Sequence, residues 1–154
     1  MKNISLSIRA YRAADKSLLS SIWYEASRRA HPFLSEERLR QQQRAVEDIY
    51  LEQAENWVAC IKDHPIAFIG LLGEHVGGLF VTPEAQGRGA GRALIAHALA
   101  LKGRLSLEVY ADNHGARAFY AALGFREISR RDVDDEGLPF ANIRLALDRD
   151  APLE

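Results

Sequence analysis

Apolar Ile4, Leu6 and Ile8 alternate with Ser5, Ser7 and Arg9 at the start of the chain, the two-residue period of a half-buried strand. The period then lengthens. Leu18, Leu19, Ile22, Trp23 and Ala26 recur at spacings of three and four, which predicts an amphipathic helix that Asp15 is placed to cap. His31-Pro32-Phe33-Leu34 interrupts that pattern. Ser35 is placed to cap a second helix, rich in Glu, Gln and Arg, that reaches about Leu51. Its apolar side is thin (Leu39, Val46, Ile49, Tyr50), as suits the edge of a domain.

Three apolar runs follow at 57–61, 66–72 and 76–81, separated by Lys62-Asp63-His64-Pro65 and Gly73-Glu74-His75. Linkers this short imply antiparallel hairpins. The style then changes to a strand ending at Val81, a glycine-rich segment, a helix to about Lys102 and a strand at 105–109, a unit that should be parallel and right-handed. Asp112 or Asn113 caps a short helix carrying Ala116, Phe119, Tyr120 and Leu123, and Gly124 suits its left-handed end. A run at 128–133, the turn Asp134-Asp135-Glu136-Gly137 and the alternating Ile143, Leu145 and Leu147 form a closing hairpin. The predicted class is α+β, with a mixed, mostly antiparallel central sheet flanked by helices and a strand–helix–strand unit. Residues 1–148 read as one domain and 149–154 as a C-terminal tail.

Composition narrows the function. With 154 residues, 47 % of them hydrophobic, the chain supports one domain with a real core. A formal net charge of −1 gives no global attraction to nucleic acid or anionic membrane, and the pairs Arg28-Arg29 and Arg130-Arg131 read as solvated surface. MKNISLSIRAYR, at the N-terminus, has no continuous apolar stretch, so neither a signal peptide nor a membrane span is expected. The lone Cys60, in an apolar strand, reads as packing; together these features suit a cytoplasmic protein, monomeric or homodimeric. His31, His64, His75, His97 and His114 show no metal spacing, so no metal is expected, and the Gly-x-Ser-x-Gly of a hydrolase is absent.

Chemistry concentrates in Gln86-Gly87-Arg88-Gly89-Ala90-Gly91-Arg92. Three glycines between a strand end and a helix start expose main-chain N–H groups at the positive end of the helix dipole, where a phosphate can approach closely. Arg88 and Arg92 add charge and forked donors. A nucleoside-triphosphate loop requires Gly-Lys followed by Ser or Thr, and Arg92-Ala93 stands there instead. An NAD(P)-binding turn requires a third glycine where Leu94 stands, although Glu108 is suggestively spaced for a ribose.

The segment resembles the (Gln/Arg)-x-x-Gly-x-(Gly/Ala) signature of the GNAT superfamily of N-acetyltransferases. Leu79-Phe80-Val81-Thr82-Pro83 upstream and Asn113-His114-Gly115-Ala116-Arg117-Ala118-Phe119-Tyr120, ending in Leu123-Gly124-Phe125, carry the resemblance further. Small bacterial acetyltransferases of the YjaB type are similar around Phe33-Leu34-Ser35, His75 and Asp134-Asp135. The resemblance implies acetyl-CoA as donor and an amine as acceptor. It assigns the donor to Leu79, Phe80, Val81, Gln86, Gly87, Arg88, Gly89, Ala90, Gly91, Arg92, Asn113, Ala116 and Tyr120. A main-chain N–H near Val81 would polarise the acetyl oxygen, and Tyr120 would donate to the sulfur.

His75 stands eleven positions before Gln86, where some members of the family carry a glutamate base, and Glu74 is its understudy should the strand register shift by one. An amine with a pKa near 10.4 is less than about a thousandth free base at pH 7, so a proton acceptor helps. Asn113 could bond the pantetheine amides or simply cap its helix. His31 and Phe33 border the acceptor in the resembling family, with Glu74 nearby. A non-catalytic acyl-CoA sensor is the reading from another class.

Overall fold

The computed structural model describes residues 5–134 and 137–149. Ile4, Asp135, Glu136 and the tail beyond Arg149 lie outside them. In chain order the elements are β1 Leu6–Ala10, α1 Lys16–Ala30, α2 Glu36–Ala45, α3 Leu51–Gln53, β2 Glu55–Ile61, β3 His64–Leu72 and β4 His75–Val81. Then come α4 Ala90–Lys102, β5 Arg104–Tyr110, α5 His114–Ala122, β6 Arg126–Arg131 and β7 Asn142–Asp148. The strands make one sheet ordered β1-β2-β3-β4-β5-β7-β6. Every pairing is antiparallel except β4 with β5, the strand–helix–strand unit.

Alternation along the strands loads both faces. Leu105, Leu107 and Val109 of β5 pack with Leu94, Ile95 and Ala98 of α4, along with Tyr120 and Phe125. On the other face Val58, Cys60 and Phe68 pack beneath Leu19, Ile22, Trp23 and Leu39 of α1 and α2. Ser106, Glu108 and Tyr110 therefore look away from α4, towards the side that α1 and α2 only partly cover.

Two local departures from the sequence pattern matter. The second helix is not continuous: α2 ends at Ala45, and Val46–Tyr50 winds as a π-helix before α3. A π turn inserts one residue into the helical register, and so rotates the downstream segment back by about 100°. Asp15 does not cap α1 through its side chain. Its carboxylate instead takes two bonds from Arg9, at 2.8 and 2.9 Å, and a third from the Arg12 main-chain N–H at 2.8 Å. The Arg9 bonds, opposed by burial and aided by that N–H, hold its pKa below the ordinary aspartate range.

A depressed carboxylate pKa contributes stability that is complete above the unfolded value and is lost as the pH falls through the folded one. Asp15→Asn should thus unfold about 1–2 kcal/mol more easily at pH 7. In urea titrations the gap from wild type should begin to close below about pH 3.9 and vanish once the pH is below the folded value; a gap that persists in stronger acid would show that the charge is not responsible.

The pairing of β4 is incomplete on one side and irregular on the other. It meets β5 only at His75↔Ser106 and Val76↔Leu107, after which the two strands part. Against β3, Gly70 faces Gly78 but Leu71 faces Val76, so Gly77 is an extra residue, a β-bulge at the vertex of the parting.

Candidate active site

At the open end of β4 the chain turns through Pro83–Ala85 into the glycine segment. Gly87 and Gly89 have φ of +83° and +90°, the left-handed region that favours glycine, and open space surrounds both. Gly89 is the N-cap of α4. The first main-chain bond there runs from the Ala93 N–H to the Gly89 oxygen, so the N–H groups of residues 90–92 have no acceptor within the helix. Arg88 and Arg92 stand exposed on either side. Gln86 is turned back, its Nε2 donating to the Val81 oxygen at 3.3 Å, which ties the turn to the strand end. Gly91 has a packing reason: a Cβ there would sit 3.2 Å from Cζ of Phe119.

From this helix terminus the gap between β4 and β5 runs back towards Gly77. It is flanked by main-chain groups of β4 that β5 does not pair. At the strand rise, residues 77–81 span about 13 Å. Leu79 and Val81 pack on the α4 side. Phe80 points the opposite way, against Trp23 and Phe68 with centroids 6.3 and 5.3 Å apart, so its ring belongs to the core and its main chain alone can face a donor.

Tyr120, on α5, is buried, with ring centroids of Phe119 and Phe125 at 5.1 and 5.3 Å. Burial pushes its phenol pKa upward, keeping it protonated across the physiological range. Asn113 is the N-cap of α5, its Oδ1 accepting the Ala116 N–H at 3.0 Å. Its Nδ2 lies 3.5 Å from His31 Nε2. The capping role is thus filled by one end of the amide, and the other faces the α1–α2 connection.

The face opposite α4 carries polar groups. His75 Nδ1 lies 3.0 Å from Ser106 Oγ, and Arg144 donates to the same oxygen at 3.3 Å. Two residues along β5, Glu108 accepts two bonds from Arg131, at 3.0 and 3.1 Å. Glu74 lies exposed in the β3–β4 turn, at the end of β4 away from the glycines. Above the row sits an aromatic cluster. Tyr110 approaches His31 and Phe33 with centroids 4.8 and 5.2 Å apart, and Phe33 meets Phe140 at 4.7 Å. Burial lowers the His31 pKa to about 4, so this imidazole is neutral at pH 7. The Arg38–Asp134 ion pair, at 3.8 Å, joins α2 to the β6–β7 connection on the same side.

Ser106, Tyr110, Arg131, Phe140 and Arg144 are site-face residues that the sequence pattern does not single out; the pair Arg130-Arg131 reads there as solvated surface. Strand alternation from Leu105 would have found Ser106 and Tyr110. Arg131 is hidden by a bulge between Glu127 and Ser129, which shifts the parity of β6. The tie from Arg131 to Glu108, and the antiparallel hairpins before the glycine turn, remove the dinucleotide reading, in which Glu108 would hold a ribose. Among the described residues no three His, Cys, Asp or Glu side chains converge to hold a metal ion, and no helix is long and apolar enough to cross a membrane.

The sequence profile of the Acetyltransferase (GNAT) family matches residues 19–125. The peptidyl-lysine N-acetyltransferase YjaB of Escherichia coli is 36 % identical over 142 residues, covering 92 % of this chain and 96 % of that protein. The peptidyl-lysine N-acetyltransferase YiaC of the same organism is 32 % identical over 133 residues, 86 % of this chain and 91 % of its own. The solution structure of apo YjaB superposes with a TM-score of 0.85 at 35 % identity, covering 93 % and 97 % of the two chains. For the PaiA N-acetyltransferase of Thermoplasma acidophilum, in complex with coenzyme A, the TM-score is 0.75 at 18 % identity, with 92 % and 98 % covered.

Proposed function

We propose, since the chain belongs to the Acetyltransferase (GNAT) family, that it transfers the acetyl group of acetyl-CoA directly to the side-chain amine of a peptidyl lysine. The observation that carries this reading is the parting of β4 from β5 after Val76 and Leu107, with its far end at the glycine turn. An extended pantetheine arm can pair with main-chain groups of β4 as an added strand would. The pyrophosphate then rests on the N–H groups of residues 90–92, between Arg88 and Arg92. Lysine as the acceptor is supported by the names of the two relatives. A cytoplasmic setting suits the lone buried Cys60. Residues 1–148 act as one catalytic unit, monomeric or homodimeric.

In the reaction the lysine nitrogen attacks the thioester carbon, the C–N bond forms, the C–S bond breaks, and the amine loses one proton while the sulfur gains one. A β4 main-chain N–H bonds the carbonyl oxygen as it becomes negative. Tyr120 donates its phenolic proton towards the departing sulfur. His75 accepts the amine proton, directly or through water, on the face where Ser106 fixes its other ring nitrogen. The acceptor side chain runs along the outside of the packed cluster of His31, Phe33, Tyr110 and Phe140, whose aromatic surface suits an alkyl chain ending in a cation.

Incubation with acetyl-CoA and a lysine peptide whose own N-terminus is blocked should release coenzyme A, and mass spectrometry should find the acetyl group on the lysine. A chain that binds acetyl-CoA but modifies no amine would be a sensor and would overturn the reading. His75→Gln should lower kcat/KM at pH 7 by about tenfold or more. Its deficit should shrink towards pH 10, where the lysine supplies its own free base; a pH-independent deficit would remove His75 as base.

A further inference from the structure

The sequence pattern assigns Tyr50 to the thin apolar stripe of an edge helix; the structure puts it elsewhere. The π turn Val46–Tyr50 ends on this residue and lays its ring on the β4 bulge. A Cβ at Gly77 would fall 2.0 Å from the phenol oxygen, and one at Gly70, on the neighbouring strand, 2.6 Å from it. The two glycines therefore form a notch that the tyrosine fills, and its hydroxyl donates to the Gly70 main-chain oxygen at 3.2 Å. Burial raises the phenol pKa, so the group stays a donor. Gly70 is where the β3–β4 register slips, and Gly77 is the extra residue, one step past the last β4–β5 pair.

We propose that Tyr50 is a positioning residue for acetyl transfer, holding the Gly77 bulge in the shape that opens β4 from β5 and aims the β4 main chain at the thioester. The inference rests on the acetyltransferase reading above. It acts through the bulge, since Tyr50 lies on the α1–α2 face and the donor enters from the glycine turn. Misplacing a reacting group by about 1 Å can cost on the order of a hundredfold in rate, so a bulge that relaxes need not release the donor to slow the reaction.

The test is a double-mutant cycle between Tyr50→Ala and Gly77→Ala, read by kcat on the lysine peptide, by acetyl-CoA Kd from calorimetry and by urea unfolding. Gly77→Ala keeps the tyrosine but pushes its ring out of the notch. The ring borders an open cleft of about 440 Å³ shared with Ile49, Leu72 and Phe80, into which it can move. Each single variant should lower kcat about tenfold or more while leaving acetyl-CoA Kd within about threefold. The double variant should be no slower than the worse single, because both remove one contact. Tyr50→Phe, which keeps the ring and loses the bond to Gly70, should recover most of the rate and serves where Tyr50→Ala fails to fold.

Additive losses, a kcat unchanged in folded Tyr50→Ala, or losses of kcat and affinity that merely track the folded fraction would each overturn the role of Tyr50. So would a Tyr50→Phe enzyme as slow as Tyr50→Ala. A wild type that acetylates no amine overturns the functional reading as well, and is told apart because the first measurement of the series already fails.

Discussion

Tyr120→Phe is expected to bind acetyl-CoA as tightly as the wild type and to turn over about a hundredfold more slowly, within the range for losing one general acid. The substitution keeps the ring that packs against Phe119 and Phe125 and removes only the hydroxyl. A thiol near pKa 8.5 is a stronger acid than a phenol near 10, so full proton transfer to a free thiolate in water would be uphill. Burial raises the Tyr120 pKa further. The departing sulfur is in the same position, however: a thiolate expelled beside this buried phenol is also destabilised as the anion. The phenol thus meets a more basic sulfur than bulk values suggest, and their hydrogen bond strengthens as the C–S bond lengthens. Stopped-flow release of coenzyme A, beside calorimetric acetyl-CoA Kd, checks the split. A kcat within threefold of wild type would exclude Tyr120 as the acid, and loss of affinity would make it a binding residue.

The second large effect lies at the other end of the donor. Gly89→Glu should abolish measurable acetyl-CoA binding, a loss of about a hundredfold or more, while urea unfolding of the donor-free protein shifts by no more than about 1–2 kcal/mol. Two causes act together. A non-glycine residue at φ of +90° is strained, and a carboxylate at the N-cap of α4 occupies the charge and the N–H groups that the pyrophosphate needs. Gly89→Ala separates them, because it adds strain without charge; it should weaken binding by a smaller factor. Calorimetric titration of the three proteins is sufficient. Retained micromolar affinity in Gly89→Glu would mean that the pyrophosphate sits elsewhere.

The parts legible in the sequence share a reason: they depend on local spacing. The glycine turn, the caps at Ser35 and Asn113, and the left-handed end at Gly124, with φ of +100°, are written within a few residues. So are the two-residue period that located β1 and β7 and the apolar runs that located β2, β3, β4 and β5, each to within a few residues. What escaped depends on relations between segments. Tyr50 looks like any apolar-stripe residue until a π turn reorients it. Asp15 has the composition of a cap, but Arg9, across a turn, claims its carboxylate. Glu108 read as an acid spaced for a ribose because its partner Arg131 comes from a strand two places away in the sheet, reached across β7. The aromatic cluster joins the α1–α2 connection, β5 and the β6–β7 connection, three stretches with no common period.

The parting of β4 and β5 also divides the molecule. Without a donor, β1 to β4 and β5 to β7 are two half-sheets stitched by only two residue pairs, His75 with Ser106 and Val76 with Leu107, and by the helices that span them. On the proposed reading a bound pantetheine arm would be a removable strand, and the donor would become part of the fold as well as a reactant. Any ligand that binds only the folded chain stabilises it by RT ln(1 + [L]/Kd), about 2.7 kcal/mol at a hundred times Kd. The seam is where that protection should be felt first: amide exchange along 77–81 is expected to slow as acetyl-CoA is added. Donor supply should therefore set how firmly the two half-sheets hold together, and a chain starved of acetyl-CoA should be cut by a protease sooner than one that is saturated.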